Sequence, residues 1–181
     1  MSTIEPAPGG LRLVQELLNT ARYGRPPGRP DLFDDLELAR PWAHGTLDRI
    51  GASRTPVTPA DVAALRELRD AIRLSLHRRS GIVDDEPFGV SEQLTVQLGP
   101  DGQARYVAGG RASAVIRGAV LTEVLLAQAT GEWLRFKLCQ LIQCDVAFYD
   151  TSRNRSARWH DERCGNYVNL MASRQRRKAE G

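Results

Sequence analysis

Apolar residues first cluster at Leu11, Leu13, Val14, Leu17 and Leu18, within the segment LRLVQELLNTARY. Their spacing suits a helix or a buried strand that runs into a turn at Asn19-Thr20, and at this length the pattern does not separate the two. The stretch GRPPGRP, Gly24 to Pro30, predicts a loop, because proline removes donors and glycine loosens the backbone. From Asp31, read as an N-cap, a short helix is expected with Leu32, Leu36, Ala39, Trp42 and Ala43 on one face. Gly51 to Pro56 is a second loop. The clearest helix start is Thr58, with Pro59 at the first helical position and Asp61 near the positive end of the dipole. Val62, Leu65, Leu68, Ile72 and Leu76 continue it as an amphipathic helix to about His77.

The pattern changes at residues 81–111. LTVQLGPDGQARYVAGG alternates on both sides of Pro100-Asp101-Gly102, which predicts a β-hairpin. A second strong helix runs from Ala112 to Thr130, stopped by Gly131. Trp133 to Leu138 then alternates apolar and basic residues as a strand leading into Cys139. The expected fold class is α+β, with a disordered leader at 1–10 and a mixed domain of helices and a hairpin at 11–132. A small module at 133–181 ends in a basic helix.

A chain of 181 residues with 41% hydrophobic and 26% charged residues is long enough to bury a core. Its N-terminus has neither the basic nor the apolar region of a secretory signal, and no run of transmembrane length stands out. An odd number of cysteines, three, argues against a disulfide framework. A cytoplasmic location and no membrane association are expected. Charge is unevenly spread. Residues 151–181 hold seven Arg and one Lys against Asp161, Glu162 and Glu180, a surplus of five, while the whole chain is at +3. The rest is therefore at −2. A mildly acidic body with a basic tail suits an anion-binding module attached to something else, although solubility alone also produces such tails.

The candidate chemistry lies in that tail. Cys139, Cys144, His160 and Cys164 form C-x4-C-x15-H-x3-C and use every cysteine in the chain. Two close pairs separated by a loop of this length are what one tetrahedral Zn²⁺ requires. The competing reading is three buried or free thiols and a surface histidine. Four protein ligands leave no position for water, so such a zinc is structural. His160-Asp161-Glu162 reads H-x-E as in zinc deaminases, but the cysteine pair lies upstream and not in a downstream P-C-x-x-C. His44, read as a loop residue, and His77, at a helix end, have no identifiable catalytic partner. Neither a Gly-rich phosphate loop nor a nucleophile elbow is present, and no enzyme is expected.

After Cys164, Gly165 would allow a tight backbone and Asn166 would cap a helix from Tyr167 to about Lys178. Val168, Leu170, Met171 and Ala172 would pack inward, with Arg174, Arg177 and Lys178 on one face. Arg153, Arg155, Arg158 and Arg163 in the inter-ligand loop would add phosphate contacts, and Ser152 and Asn154 neutral hydrogen bonds. Duplex DNA is thus the expected partner. A protein-interaction module, with Arg153 paired to Asp150, and an RNA-binding module stacking bases on Phe148, Tyr149, Trp159 and Tyr167, are the alternatives.

Phe148-Tyr149-Asp150-Thr151-Ser152-Arg153-Asn154-Arg155-Ser156, Arg158-Trp159 and Cys164-Gly165-Asn166 strongly resemble the CGNR zinc-finger family. The front is similar to the ABATE domain, through Leu13-Val14 to Asn19-Thr20, the Asp31-Leu32 helix and the Ala63-to-Arg69 helix. The resemblance implies a bacterial protein of the stress-induced transcription-regulator type, with a DNA-binding finger and a front domain that senses a small-molecule effector. An effector pocket between the hairpin and the two long helices, near Asn19, Arg22 and Tyr23, would follow. A homodimer would suit a regulator reading a palindrome. Two departures stand out: His160 replaces the family's usual third cysteine, and Tyr167 replaces the arginine after C-G-N.

Overall fold

Asp61 starts two helices. Its carboxylate accepts from the Thr58 backbone N–H at 3.0 Å, while Thr58 Oγ1 accepts from Asp61 N, closing a capping box at the start of α3 (Pro59–Arg79). It also accepts from Ser113 N at 3.2 Å and Ser113 Oγ at 2.6 Å, in the first turn of α4 (Ala112–Ala129). Arg111, the N-cap residue of α4, makes no side-chain cap of its own. Asp61 is 1% exposed. Burial opposes its charge, and the bonds from Ser113 and Thr58 overcome that and hold its pKa far below the usual carboxylate range.

The computed structural model describes residues 4–21, 30–81, 89–107, 109–141 and 143–179. Among them are five α-helices and two small antiparallel sheets, an α+β fold. The first apolar cluster is helical, α1 (Leu11–Leu18), and buries Val14, Leu17 and Leu18. The segment after Asp31 forms two pieces instead of one helix. Asp31 accepts from Phe33 N and caps a 3₁₀ turn at Leu32–Asp34, then an extended Asp35 accepts from Glu37 N and caps α2 (Leu36–Arg49). Two acids, each able to stop the chain and restart it, divide what the apolar spacing joined. His44 therefore lies within α2, its Nε2 3.3 Å from the Thr55 carbonyl, and not in a loop.

The hairpin of β1 (Thr95–Leu98) and β2 (Ala104–Val107) pairs Thr95 with Val107 and Leu98 with Ala104. It reaches α4 through Tyr106, whose ring fills the space that a side chain on Gly118 would need. Helix α4 packs on α1, α2 and α3. Its mean hydropathy of 1.3 over 18 residues is long and apolar enough for a membrane span by composition, contrary to the reading that no run of that length exists. Half of it is buried within the protein, where Arg117 donates to Glu92, Glu67 and the Ala64 carbonyl, as in the core helix of a folded domain.

The expected strand after Gly131 begins later. Glu132–Arg135 is a 3₁₀ turn, and β3 (Phe136–Leu138) pairs with β4 (Ala147–Tyr149). Phe136, Leu138 and Ala147 enter the same apolar core as Leu17, Leu65 and Ile116, so the tail and the front share one core. The first residues of the chain also take part. Residues 1–3 lie outside those described, whereas Ala7 is buried and its N–H donates to Gln15 Oε1 at 2.8 Å. Ile4 packs on the cysteine cluster, so residues 4–10, read from composition as a disordered leader, lie along the body. The GRPPGRP loop, apart from Pro30, falls outside the described residues.

Candidate metal centre

The β3–β4 turn presents the first ligand pair. Cys139 N donates to the Val146 carbonyl at 2.8 Å, and Cys144 N and Asp145 N both donate to the Leu141 carbonyl, which folds the connection back on itself. Asp145 takes the left-handed backbone region at φ 53° to complete the bend. The second pair straddles a helix start. Asp161 Oδ1 accepts from Arg163 N at 2.7 Å and its carbonyl accepts from Cys164 N, so α5 (Glu162–Ala179) begins just after His160.

The expected start at Tyr167, capped by Asn166, is thus corrected by more than one turn. Gly165 and Asn166 are helical, and Gly165 has no left-handed backbone. Its role is proximity: a Cβ there would lie 3.1 Å from Cε3 of Trp159, which packs on the cysteine cluster. The helical start also explains the x3 spacing, since it brings Cys164 back toward His160 across the first turn.

The four ligand atoms all lie within 4.8 Å of one another. His160 Nδ1 is 3.3 Å from Cys144 Sγ and 3.7 Å from Cys164 Sγ. A tetrahedral zinc with Zn–S of about 2.3 Å and Zn–N of about 2.0 Å separates such atoms by roughly 3.5 to 3.8 Å, so the set fits. All three cysteines are buried and reduced. The contact from Cys144 holds the Cys139 thiol down to about 4, against burial, with help from His160. The same contact and burial push Cys144 far up, and burial with the charge on Cys139 lifts Cys164 to about 11. One thiolate suppresses the next two, and a dication removes that conflict by making all three thiolates ligands.

Around the ligands, Leu141, Val146, Trp159, Tyr167 and Val168 form a small apolar shell. Tyr167, where the resembled family has arginine, thus helps to cover the metal site. The knuckle is fastened to the body. Arg73, on α3, donates to the Asp145 carbonyl at 2.5 Å and to its carboxylate, and to the Leu18 carbonyl at 3.0 Å. His77 Nε2 sits 3.2 Å from Asp145 Oδ1, a carboxylate partner not evident in the sequence.

Asp150 organises the inter-ligand loop. Its Oδ1 accepts from Ser152 N at 2.9 Å, and its Oδ2 accepts from Ala157 N at 2.9 Å and Lys137 Nζ at 2.7 Å. Burial raises the pKa of Asp150, but these bonds bring it down to about 2. The pairing of Asp150 with Arg153 considered from sequence is replaced by the pairing with Lys137. Arg135 Nη1 donates to the Asp150 and Ser152 carbonyls, clamping the loop from below. The roles of Lys137 and Arg135, and the backbone partners of Asp150, are not evident in the sequence, because they involve a loop whose path the sequence does not show.

The basic residues proposed from sequence fall into two groups. Arg163 pairs with Asp161 at 2.9 Å, and Arg158 donates to Gln140 Oε1 at 2.7 Å and lies over the Trp159 ring. Arg153 and Arg155, on the loop, and Arg174, Arg177 and Lys178, on α5, are exposed. Arg177 bonds Ser173 Oγ, a neutral partner. Leu170 and Met171, expected to pack inward, are 45% and 37% exposed and lie beyond Val168, the last α5 residue of the apolar shell around the cysteines. Phe148 is buried and Tyr149 bonds Glu132, so neither offers an open stacking face.

Three thiolates and one imidazole, drawn from a strand turn and a helix start and covered by a small apolar shell, define a structural zinc finger positioned to bind one metal ion. Residues 135–177 match the family model of the CGNR zinc finger. No curated protein matches this chain.

Proposed function

We propose that this protein is a zinc-containing transcription regulator that binds duplex DNA through the inter-ligand loop and α5. The observation that carries the reading is a set of exposed cations, Arg153, Arg155, Arg174, Arg177 and Lys178, while the nearby carboxylates Asp150 and Asp161 are occupied by Lys137 and Arg163. Metal-fixed geometry gives these cations a defined origin, as phosphate contacts require. Arg163 contributes less than the others, since Asp161 already pairs with it, whereas the partner of Arg158 is the neutral Gln140 amide.

A small effector would sit in a cavity of about 420 Å³ bounded by α1, the end of α2, α4 and Tyr106 of the hairpin. Leu13, Ile50 and Ala119 give it apolar walls, and Arg12, Glu16 and Arg49 give it charge. Asn19, considered for such a pocket from sequence, instead bonds β4, and Arg22 and Tyr23 lie outside the described residues. The likeness of the front to the ABATE domain supports the sensor role. A homodimer on a palindromic site and a cytoplasmic, bacterial setting belong to the same proposal.

The test is selection of bound genomic fragments with and without a chelator, followed by affinity against salt. With five to six phosphates engaged, log affinity falls against log salt with a slope of about −5. A flat plot, or no metal-dependent enrichment, overturns the reading. Leu170 and Met171 favour a protein partner as the second reading. In that case charge reversal at Arg174 and Arg177 leaves activity intact.

A further inference from the structure

A second cleft, of about 330 Å³, opens where the end of α3 meets β3 and the inter-ligand loop. Its polar lining includes Arg79, Ser80, Lys137, Gln140, Arg155 and Arg158, and no acidic residue is among the described residues that line it. The cations differ in what already holds them. Lys137 is fully used: its ammonium donates to Asp150 Oδ2, to the Arg155 carbonyl at 2.5 Å and to the Ala157 carbonyl at 3.2 Å.

Neutral partners hold two of the three guanidinium groups. Arg79 donates to the Trp133 carbonyl at 2.8 Å and to the Phe136 carbonyl, with its guanidinium 5.6 Å from the centre of the Trp133 ring. Arg158 donates to the Gln140 amide oxygen and lies 5.4 Å from the centre of the Trp159 ring. Arg155 has a left-handed backbone, φ 53°, whose carbonyl Lys137 fixes, and its side chain makes no ion pair or hydrogen bond among the described residues.

Carbonyls, an amide and aromatic rings orient Arg79 and Arg158 without neutralising them. Each guanidinium has five N–H donors, so Arg79 and Arg158 retain free ones after those bonds. Burial lowers the pKa of Arg79, and no carboxylate pairs with it among the described residues. Like charges converging on one concavity repel each other until an anion enters. Guanidinium forks match tetrahedral oxyanions bidentately, and the Ser156 hydroxyl on the lining can donate to a remaining oxygen.

The geometry points to this cleft as a phosphate-binding site that takes one phosphoryl group between Arg79 of the body and Arg155 and Arg158 of the finger. The group comes either from a nucleic-acid backbone, in which case the inference rests on the DNA reading above, or from free phosphate. In both cases the anion bridges α3 and the inter-ligand loop, away from the exposed cations of α5.

The experiment uses zinc-loaded full-length protein. Inorganic phosphate is titrated at constant ionic strength, with chloride as the balancing anion, and backbone amide NMR shifts of residues 152–158 are followed. Arg155→Gln removes a side chain with no hydrogen-bond or ion-pair partner among the described residues, so its melting temperature should match wild type while phosphate affinity falls about tenfold. Arg40→Gln, on α2, serves as a control with unchanged affinity. A 20-base-pair duplex is then titrated into the same proteins. If Arg155→Gln weakens both phosphate and duplex binding, the site holds a backbone phosphate. If it weakens phosphate alone, the site holds free phosphate. Absence of saturable phosphate binding, or equal affinity in wild type and Arg155→Gln, overturns the site. In that event, duplex binding lost on Arg174→Glu but retained in Arg155→Gln leaves the DNA reading standing by itself.

Discussion

Asn19 and Ala147 bond each other twice, across 128 residues of chain. The Asn19 amide nitrogen donates to the Ala147 carbonyl at 3.0 Å, and the Ala147 N–H donates to the Asn19 amide oxygen at 2.9 Å. A side-chain amide has the same donor and acceptor as a peptide, so Asn19 pairs with β4 as a further strand residue would. Because Asn19 is also the C-cap of α1, the pair locks the first helix to the strand that leads from the metal knuckle.

Asn19→Ala should therefore loosen the finger from the body. Ala147 is 0% exposed, and its N–H would lose its partner while its carbonyl kept only a 3.4 Å contact from Gln15. The expected cost is about 2 kcal/mol, read from urea unfolding of the zinc-loaded protein. A change below about 0.5 kcal/mol would mean that water replaces the amide without penalty.

Chelation should destabilise the whole chain and not the tail alone. Phe136, Leu138 and Ala147 belong to the front core, and Arg73 ties the knuckle to α3. Calorimetry should show one transition that moves to lower temperature when zinc is removed, with one zinc per chain by elemental analysis beforehand. Free zinc at a thousandfold over its dissociation constant stabilises by about 4 kcal/mol. A front transition that ignores the chelator would show two independent units.

Asp150→Asn tests the loop. The folded pKa of Asp150, about 2, lies below its ordinary value of 3.8, so its charge stabilises the fold above pH 4. That contribution, of order 2 kcal/mol, declines as pH falls through the folded pKa. Wild type should exceed the variant by this amount at pH 7, and the gap should close between about pH 4 and pH 2. A gap that stays constant over this range would assign the loss to packing instead of charge.

Gly165 separates proximity from backbone freedom. Alanine there gains about 1 kcal/mol of helix propensity and must push Trp159 by a few tenths of an ångström, so Gly165→Ala should be near neutral. Gly165→Leu should displace Trp159 from the cysteine shell, cost about 1–3 kcal/mol and weaken zinc binding in a competition assay. If leucine is as well tolerated as alanine, Trp159 does not shield the site.

Local rules explain what was legible in advance. The Thr58–Asp61 start of α3, the hairpin about Pro100-Asp101-Gly102 and the end of α4 before Gly131 depend on neighbours within a few residues. The four metal ligands were legible because zinc chemistry restricts residue type and spacing so narrowly. The start of α5 was not, because Asp161 and Asn166 are both acceptable caps locally. Asp161 serves because the helix must already be turning at Cys164 for its sulfur to approach His160 at 3.7 Å.

By itself, then, the sequence determined the two long helices α3 and α4, the hairpin, the metal quartet and the basic character of the tail, since each follows from short-range periodicity or from donor chemistry. Tertiary structure alone decided how those parts are joined. It sent Asp61 to a second helix, Asn19 to a strand 128 residues away and Arg73 to the metal knuckle. It also divided the cations between those neutralised by carboxylates and those, such as Arg155, left facing a cleft. Such pairings depend on which groups the folded chain brings within hydrogen-bond distance, and residue spacing carries no record of that.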